Sequence, residues 1–232
     1  MKNIKTNTWL LLTVVLLLSC ERDLETEGLS RITYYPDFTM AGEENVITWV
    51  GAGFTDPGAT ATEAGQDLPV TVTITGSPYI VPGNTQPDQV SYTNTFNPDV
   101  PGIYSFSYSA INSDGYPGSV TRMVFVLDKQ PDPAVDLSGT YTSTAPSPNA
   151  TISKIGDGVF YSTNAWGGGS GVVIGAYILT ADGVNLNIPQ QESLVRIFGH
   201  GTRLANGTLD LKMSRPTFSP PLIDLEKVWA KQ

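Results

Sequence analysis

Tyr104-Ser105-Phe106-Ser107-Tyr108-Ser109-Ala110 alternates apolar and hydroxyl side chains without a break. Successive residues of an extended chain point to opposite sides, so Tyr104, Phe106, Tyr108 and Ala110 make one apolar face and the three serines make the other. The stretch predicts a half-buried β-strand. Val70, Val72 and Ile74 alternate with Thr71 and Thr73 in the same way, and Val120, Arg122, Val124 and Val126 share one face of a further strand. Asp56-Pro57-Gly58, Pro82-Gly83-Asn84, Pro101-Gly102 and Ser113-Asp114-Gly115 separate these runs with the residues that turns require. Past the first nineteen residues no stretch sustains a helical period. The prediction is an all-β protein, antiparallel because its connections are short.

Two globular regions follow from the break at Asp128-Lys129-Gln130-Pro131-Asp132-Pro133-Ala134-Val135-Asp136, which carries two prolines and four charges and no apolar pattern. Residues 129–136 read as a semi-rigid linker that makes few contacts, between a sandwich over 30–128 and a second domain over 137–232 that folds by itself. In the second region Asp157-Gly158, Asp182-Gly183 and Asn206-Gly207 supply the positive φ that tight hairpins need. Counting runs from Thr140 to Trp229 gives about eight short strands, which predicts a small antiparallel barrel or a sandwich.

The N-terminus has the build of an export signal over residues 1–19: Lys2 and Lys5, then an apolar run from Trp9 to Leu18 broken only by Thr13. The run is shorter than the roughly 20 residues a membrane helix needs. Leu17-Leu18-Ser19-Cys20 resembles the lipobox of bacterial lipoproteins, which implies lipidation of Cys20 as the mature N-terminus. Cys20 is the only cysteine, so no intramolecular disulfide forms, and a lipidated thiol is not open to catalysis or zinc. Residues 20–29 then form an acidic tether containing Glu21, Asp23, Glu25 and Glu27. It resembles the export tract of outer-membrane lipoproteins of Bacteroidota, implying an outer-membrane address that faces the cell exterior. Removal of residues 1–19 takes two of the 13 basic residues and none of the 22 acids, moving the formal charge from −9 to −11. With no basic run, nucleic acid is excluded as a partner.

Gly53-Phe54-Thr55-Asp56-Pro57-Gly58-Ala59, Pro101-Gly102-Ile103-Tyr104, Ser113-Asp114-Gly115 and Arg122-Met123-Val124-Phe125-Val126 together resemble the bacterial Ig-like domain. Leu137-Ser138-Gly139-Thr140-Tyr141, Gly158-Val159-Phe160-Tyr161 and Val228-Trp229-Ala230-Lys231 resemble the lipocalin-like module that follows such a domain in Bacteroidota surface lipoproteins. Proteins of that kind accompany starch-utilisation-type glycan uptake, so the resemblance implies an oligosaccharide or polysaccharide ligand and a transporter or surface-binding protein as neighbour.

The chain offers little to catalysis. One histidine, His200, lies between Gly199 and Gly201 and reads as a turn residue rather than a base or metal ligand, and the expectation is a non-enzyme with no cofactor and no metal. Sugar binding needs exposed aromatic rings with amide and hydroxyl partners. Trp166, in a glycine-rich loop with Asn164 before it and Tyr161 on the preceding strand, is the first candidate; the opposite reading is a ring that plugs the barrel mouth. Tyr79 and Tyr92, with Asn84 and Gln86, form a second candidate surface in the long segment between Gly76 and Phe96, or pack within that loop. The rival to glycan binding is a structural or protein-interaction subunit of an outer-membrane complex.

Overall fold

The computed structural model describes residues 32–83, 89–93, 95–167 and 173–232. Cys20, Asn84 and Gln86 lie outside them. Tyr35–Gln232 form one compact unit, and residues 32–34 belong to a separate N-terminal unit. Every regular element among the described residues is a strand, as expected.

The first lobe has two sheets. β1 (Asp37–Met40), β3 (Ala59–Glu63) and β4 (Gln66–Leu68) make a three-stranded sheet. β2 (Asn45–Trp49), β5 (Thr71–Pro78), β6 (Val90–Thr93), β7 (Gly102–Ile111) and β8 (Pro117–Leu127) make a five-stranded one in the order β2-β8-β7-β5-β6. The alternation that opens the sequence argument is the inner face of β7: Tyr104, Phe106 and Tyr108 are buried with Ile74, Val124 and Val126, and Phe38, Met40 and Ala59 of the smaller sheet pack on them. The antiparallel expectation fails at one place. β2 pairs parallel with β8, Asn45 opposite Met123 through Trp49 opposite Leu127. Short connections dictate the direction of consecutive strands only, and some 70 residues of chain separate these two, ample for a crossover.

Arg122 faces into this sandwich in a row of valines and is fully buried. An unpaired charge there would be untenable, and the guanidinium is in fact saturated. It donates to the Asp56 carboxylate and to the Ala41 carbonyl, to the Glu43 carbonyl at 2.9 Å and to the Tyr108 hydroxyl at 2.9 Å. Asp56 also accepts from the Tyr108 hydroxyl at 2.6 Å and from the Gly58 N–H at 3.2 Å. Desolvation by burial, followed by the bond to Asp56, pushes the Tyr108 phenol well above its ordinary value. One arginine thus ties the β1–β2 crossing to the 53–59 segment.

The second lobe is a closed barrel. β9 (Gly139–Ser143), β10 (Ala150–Gly156), β11 (Val159–Ser162), β12 (Ala176–Leu179), β13 (Asn185–Glu192), β14 (Arg196–Arg203), β15 (Leu209–Arg215) and β16 (Leu222–Lys231) each pair antiparallel with the next, and β16 closes on β9. Closure leaves no edge, which decides between barrel and open sandwich. The interior is filled by side chains, among them Tyr141, Ile152, Phe160, Trp166, Ile188, Leu211, Met213 and Trp229. All three hairpin glycines, Gly158, Gly183 and Gly207, sit at turns with positive φ.

The linker is bound along its length. Lys129 pairs with Asp182 at 3.0 Å, the Asp132 N–H donates to the Ala181 carbonyl at 2.9 Å, and Lys154 donates to the Pro133 carbonyl at 3.0 Å. Burial alone would raise the Asp182 carboxyl, but bonds from Asn185, Val184 and Lys129 outweigh it and hold the group well below the usual carboxylate range. The two lobes also share an apolar cluster: Ile103, Phe125 and Leu127 from the sandwich meet Val159 and Leu179 from the barrel. The expectation of few contacts across the boundary therefore does not hold. Its signal is the unbroken apolar run Met123-Val124-Phe125-Val126-Leu127, since a strand covered on both faces loses its alternation.

Gly158 lies at that junction. A Cβ there would sit 2.6 Å from Leu127 Cδ1 and 2.8 Å from the Thr180 carbonyl oxygen, at φ +78°. Gly158→Ala is expected to cost about 2 to 3 kcal/mol by adding left-handed strain to a backbone clash. Gly115→Ala, with φ +85° and no atom within 4 Å of the added carbon, isolates the strain alone. Equal melting temperatures for the two variants would remove the packing part of the account.

A polar cleft between sandwich and barrel as candidate functional site

Beside the shared apolar cluster the outer face of the five-stranded sheet and the side of the barrel enclose a cleft of about 610 Å³. Strand alternation supplies the sandwich wall: the serine face of β7 gives Ser105, with Ile103 beside it, and β5 contributes Thr75, Gly76 and Ser77. Gln89, just before β6, donates to the Ser77 hydroxyl at 2.6 Å. The barrel wall carries Tyr161, Gly175, Tyr177 and Gln190 to Ser193.

Gly175 has a steric reason to be glycine, because a Cβ there would lie 2.2 Å from the Tyr161 hydroxyl oxygen. Tyr161 and Tyr177 meet edge to face with centroids 5.2 Å apart, and Tyr177 in turn packs on Phe125 at 5.0 Å. The rings are thus braced from the lobe interface. Gln191 is occupied by the fold: its side-chain oxygen accepts from the Tyr177 N–H at 2.7 Å, and its amide donates to the Tyr177 carbonyl at 2.9 Å. This pair replaces the missing ladder between β12 and β13, whose register is recorded only at Leu179 and Asn187. Asn187 plays the matching part between lobes, pairing with both backbone groups of Ile80 at 3.0 and 3.1 Å.

Among the described residues no lysine or arginine lines the cleft, and Glu192 is the one carboxylate, paired with Arg196 at 3.4 Å. Its hydrogen-bonding groups are amides, hydroxyls and backbone. Such a wall recognises neutral polar ligands. Among the described residues no group of three or more His, Cys, Asp or Glu is placed to hold a metal ion.

Of the described residues singled out as candidate site residues, only Tyr161 lines this cleft. Trp166 is 3% exposed and belongs to the barrel core, which is the plugging arrangement. Asn164 is buried too, donating to the Pro148 carbonyl at 3.0 Å and accepting from the Gly167 N–H at 3.3 Å, so it binds two loops together. Tyr79 packs into the inter-lobe cluster, where burial and then nearby Asp128 push its phenol well above the ordinary value. Tyr92 turns into the sandwich core against Phe96 and Tyr104. His200 is not in a turn. It is central in β14, between Asn187 and Lys212 on the neighbouring strands. Its flanking glycines serve close strand approach, since a Cβ on Gly199 or Gly201 would meet the backbone of β15 at 2.5 or 2.2 Å.

Gln89, Ser105, Tyr177 and Gln190 were not singled out from sequence. Only the serine face of β7 carried a signal, and it reads as solvent-facing until a second lobe is set against it.

No family model and no curated protein sequence matches the chain. Among solved structures it is similar to a lipoprotein of Bacteroides thetaiotaomicron, at 22% identity and a TM-score of 0.36, over 85% of this chain and 100% of the other.

Proposed function

We propose that this chain is a non-catalytic surface lipoprotein, lipid-anchored through Cys20 in the outer membrane, that binds a neutral oligosaccharide in the cleft between an Ig-like sandwich and the barrel. The observation that carries the reading is the cleft wall itself: uncharged amides and hydroxyls around the braced Tyr161–Tyr177 pair, in a protein otherwise rich in acids. Sugar C–H faces pack on aromatic rings while hydroxyls exchange hydrogen bonds with amides. Glycoside cleavage uses two carboxylates, and among the described residues the cleft presents Glu192 alone, which supports binding without turnover. A place beside a polysaccharide-uptake transporter fits the same reading.

The test is a neutral glycan array probed with the full chain, purified in a detergent that has no sugar headgroup. Binding is expected, weakened about ten-fold by Tyr161→Ala and blocked by Ser105→Trp, which places an indole in the cleft. If no neutral glycan is retained, or if both variants bind as the parent does, the protein-interaction subunit becomes the better account.

A further inference from the structure

Where the β11–β12 and β15–β16 connections approach each other, two cations converge on one ring. Lys227 Nζ lies 4.4 Å from the centroid of the Trp166 ring, and the Arg215 guanidinium carbon lies 5.1 Å from it. Arg215 is also 5.0 Å from the Phe218 ring. Lys227 donates to the Gly167 carbonyl at 3.0 Å. Neither cation has a carboxylate partner: the ion pairs among the described residues are Asp56–Arg122, Lys129–Asp182, Lys154–Asp157, Glu192–Arg196 and Lys212–Glu226. The Arg215 Nε is buried with no protein acceptor in reach. In a chain with 22 acids against 13 bases, leaving two half-buried cations side by side without an acid is a specific arrangement. The residues 168–172 between Gly167 and Val173 contain no acid in their sequence either.

We infer that Arg215 and Lys227 form a receptor for one oxyanion, the carboxylate or sulfate group of an acidic sugar. A guanidinium presents a planar fork that matches two oxygens, and an ammonium adds a point charge from a second direction. Trp166, buried beneath the two cations, and Phe218 hold the fork in place, and the exposed Phe218 ring gives the sugar an apolar shelf. Burial, and then the charge of Arg215, lowers the affinity of Lys227 for its proton, a cost that an anion seated between the two would relieve. This site stands on the cation pair and does not depend on the neutral cleft.

Calorimetry on the full chain in the same detergent, with glucuronate, glucose and inorganic sulfate as probes, tests it. Glucuronate should bind, with affinity reduced at least about ten-fold in Lys227→Met and in Arg215→Met and held within about three-fold in Lys227→Arg. Its affinity should fall as sodium chloride is added. Glucose binding that survives Lys227→Met reports the cleft, so the two sites are read separately. Unchanged glucuronate affinity in Lys227→Met overturns the inference, and sulfate binding as tightly as glucuronate overturns the assignment to a sugar. Should Lys227→Met fail to fold by circular dichroism, the salt series on the parent decides, and an affinity indifferent to salt sinks the site.

Discussion

Arg122→Ala should lower the melting temperature of the protein by about 10 °C, because removing one partner of a buried pair costs about 3 to 5 kcal/mol and each kilocalorie moves a unit of this size by roughly 2 to 4 °C. The loss is large because it is shared. Asp56, Tyr108 and the carbonyls of Ala41 and Glu43 all turn toward the guanidinium, and each would lose its partner at once. Asp56→Ala should cost a similar amount, and the double variant clearly less than the two single losses together, since residues in one network are not additive. Thermal melts of the three variants by circular dichroism measure this. Additive losses would mean that Arg122 and Asp56 stabilise the lobe independently, and the network reading would fall.

Trp166→Ala is expected to have a comparable effect by a different route. Truncating a buried aromatic costs about 3 to 5 kcal/mol through lost transfer energy and the cavity left behind, which again corresponds to a drop near 10 °C. Neutral glycan binding in the cleft should remain within about two-fold of the parent. The opposite pattern, a small melting shift with glycan affinity lost, would return Trp166 to the role of an exposed binding ring and would contradict its place in the barrel core.

The periodicity of β7 and β5, the turn glycines and the strand count of the second region carry the all-β class and the strand boundaries, because each is a local consequence of backbone geometry. Arg122 was visible as a charge in an apolar row, and the Asp56-Pro57-Gly58 turn as a turn, but nothing local says that the two meet. Direction of pairing was misread at β2 and β8 for the same reason: parallel partners are brought together by the whole lobe and not by a turn. The cleft was the least legible feature. Ser105 and Gln190 are ordinary solvent-facing residues of their own strands, and they line a site only because Phe125 and Leu127 dock on Val159 and Leu179. Tyr161 was found through its neighbours in sequence, while Trp166, the more conspicuous residue in the same loop region, folded inward because an indole gains more from burial than from solvent.

Under the lipid tether proposed above, the parallel pairing of β2 with β8 would have a mechanical meaning. Tension from such a tether, once past β1, would reach the start of β2 and leave toward the barrel from the end of β8, so the two strands would be drawn past each other along their length. All the bonds across that pair then share the load at once instead of opening one after another, as they would in a peeling geometry. If the proposed ligand pulls on the barrel, a shear clamp would resist it, and the strand order that departs from the antiparallel pattern is the one suited to holding on.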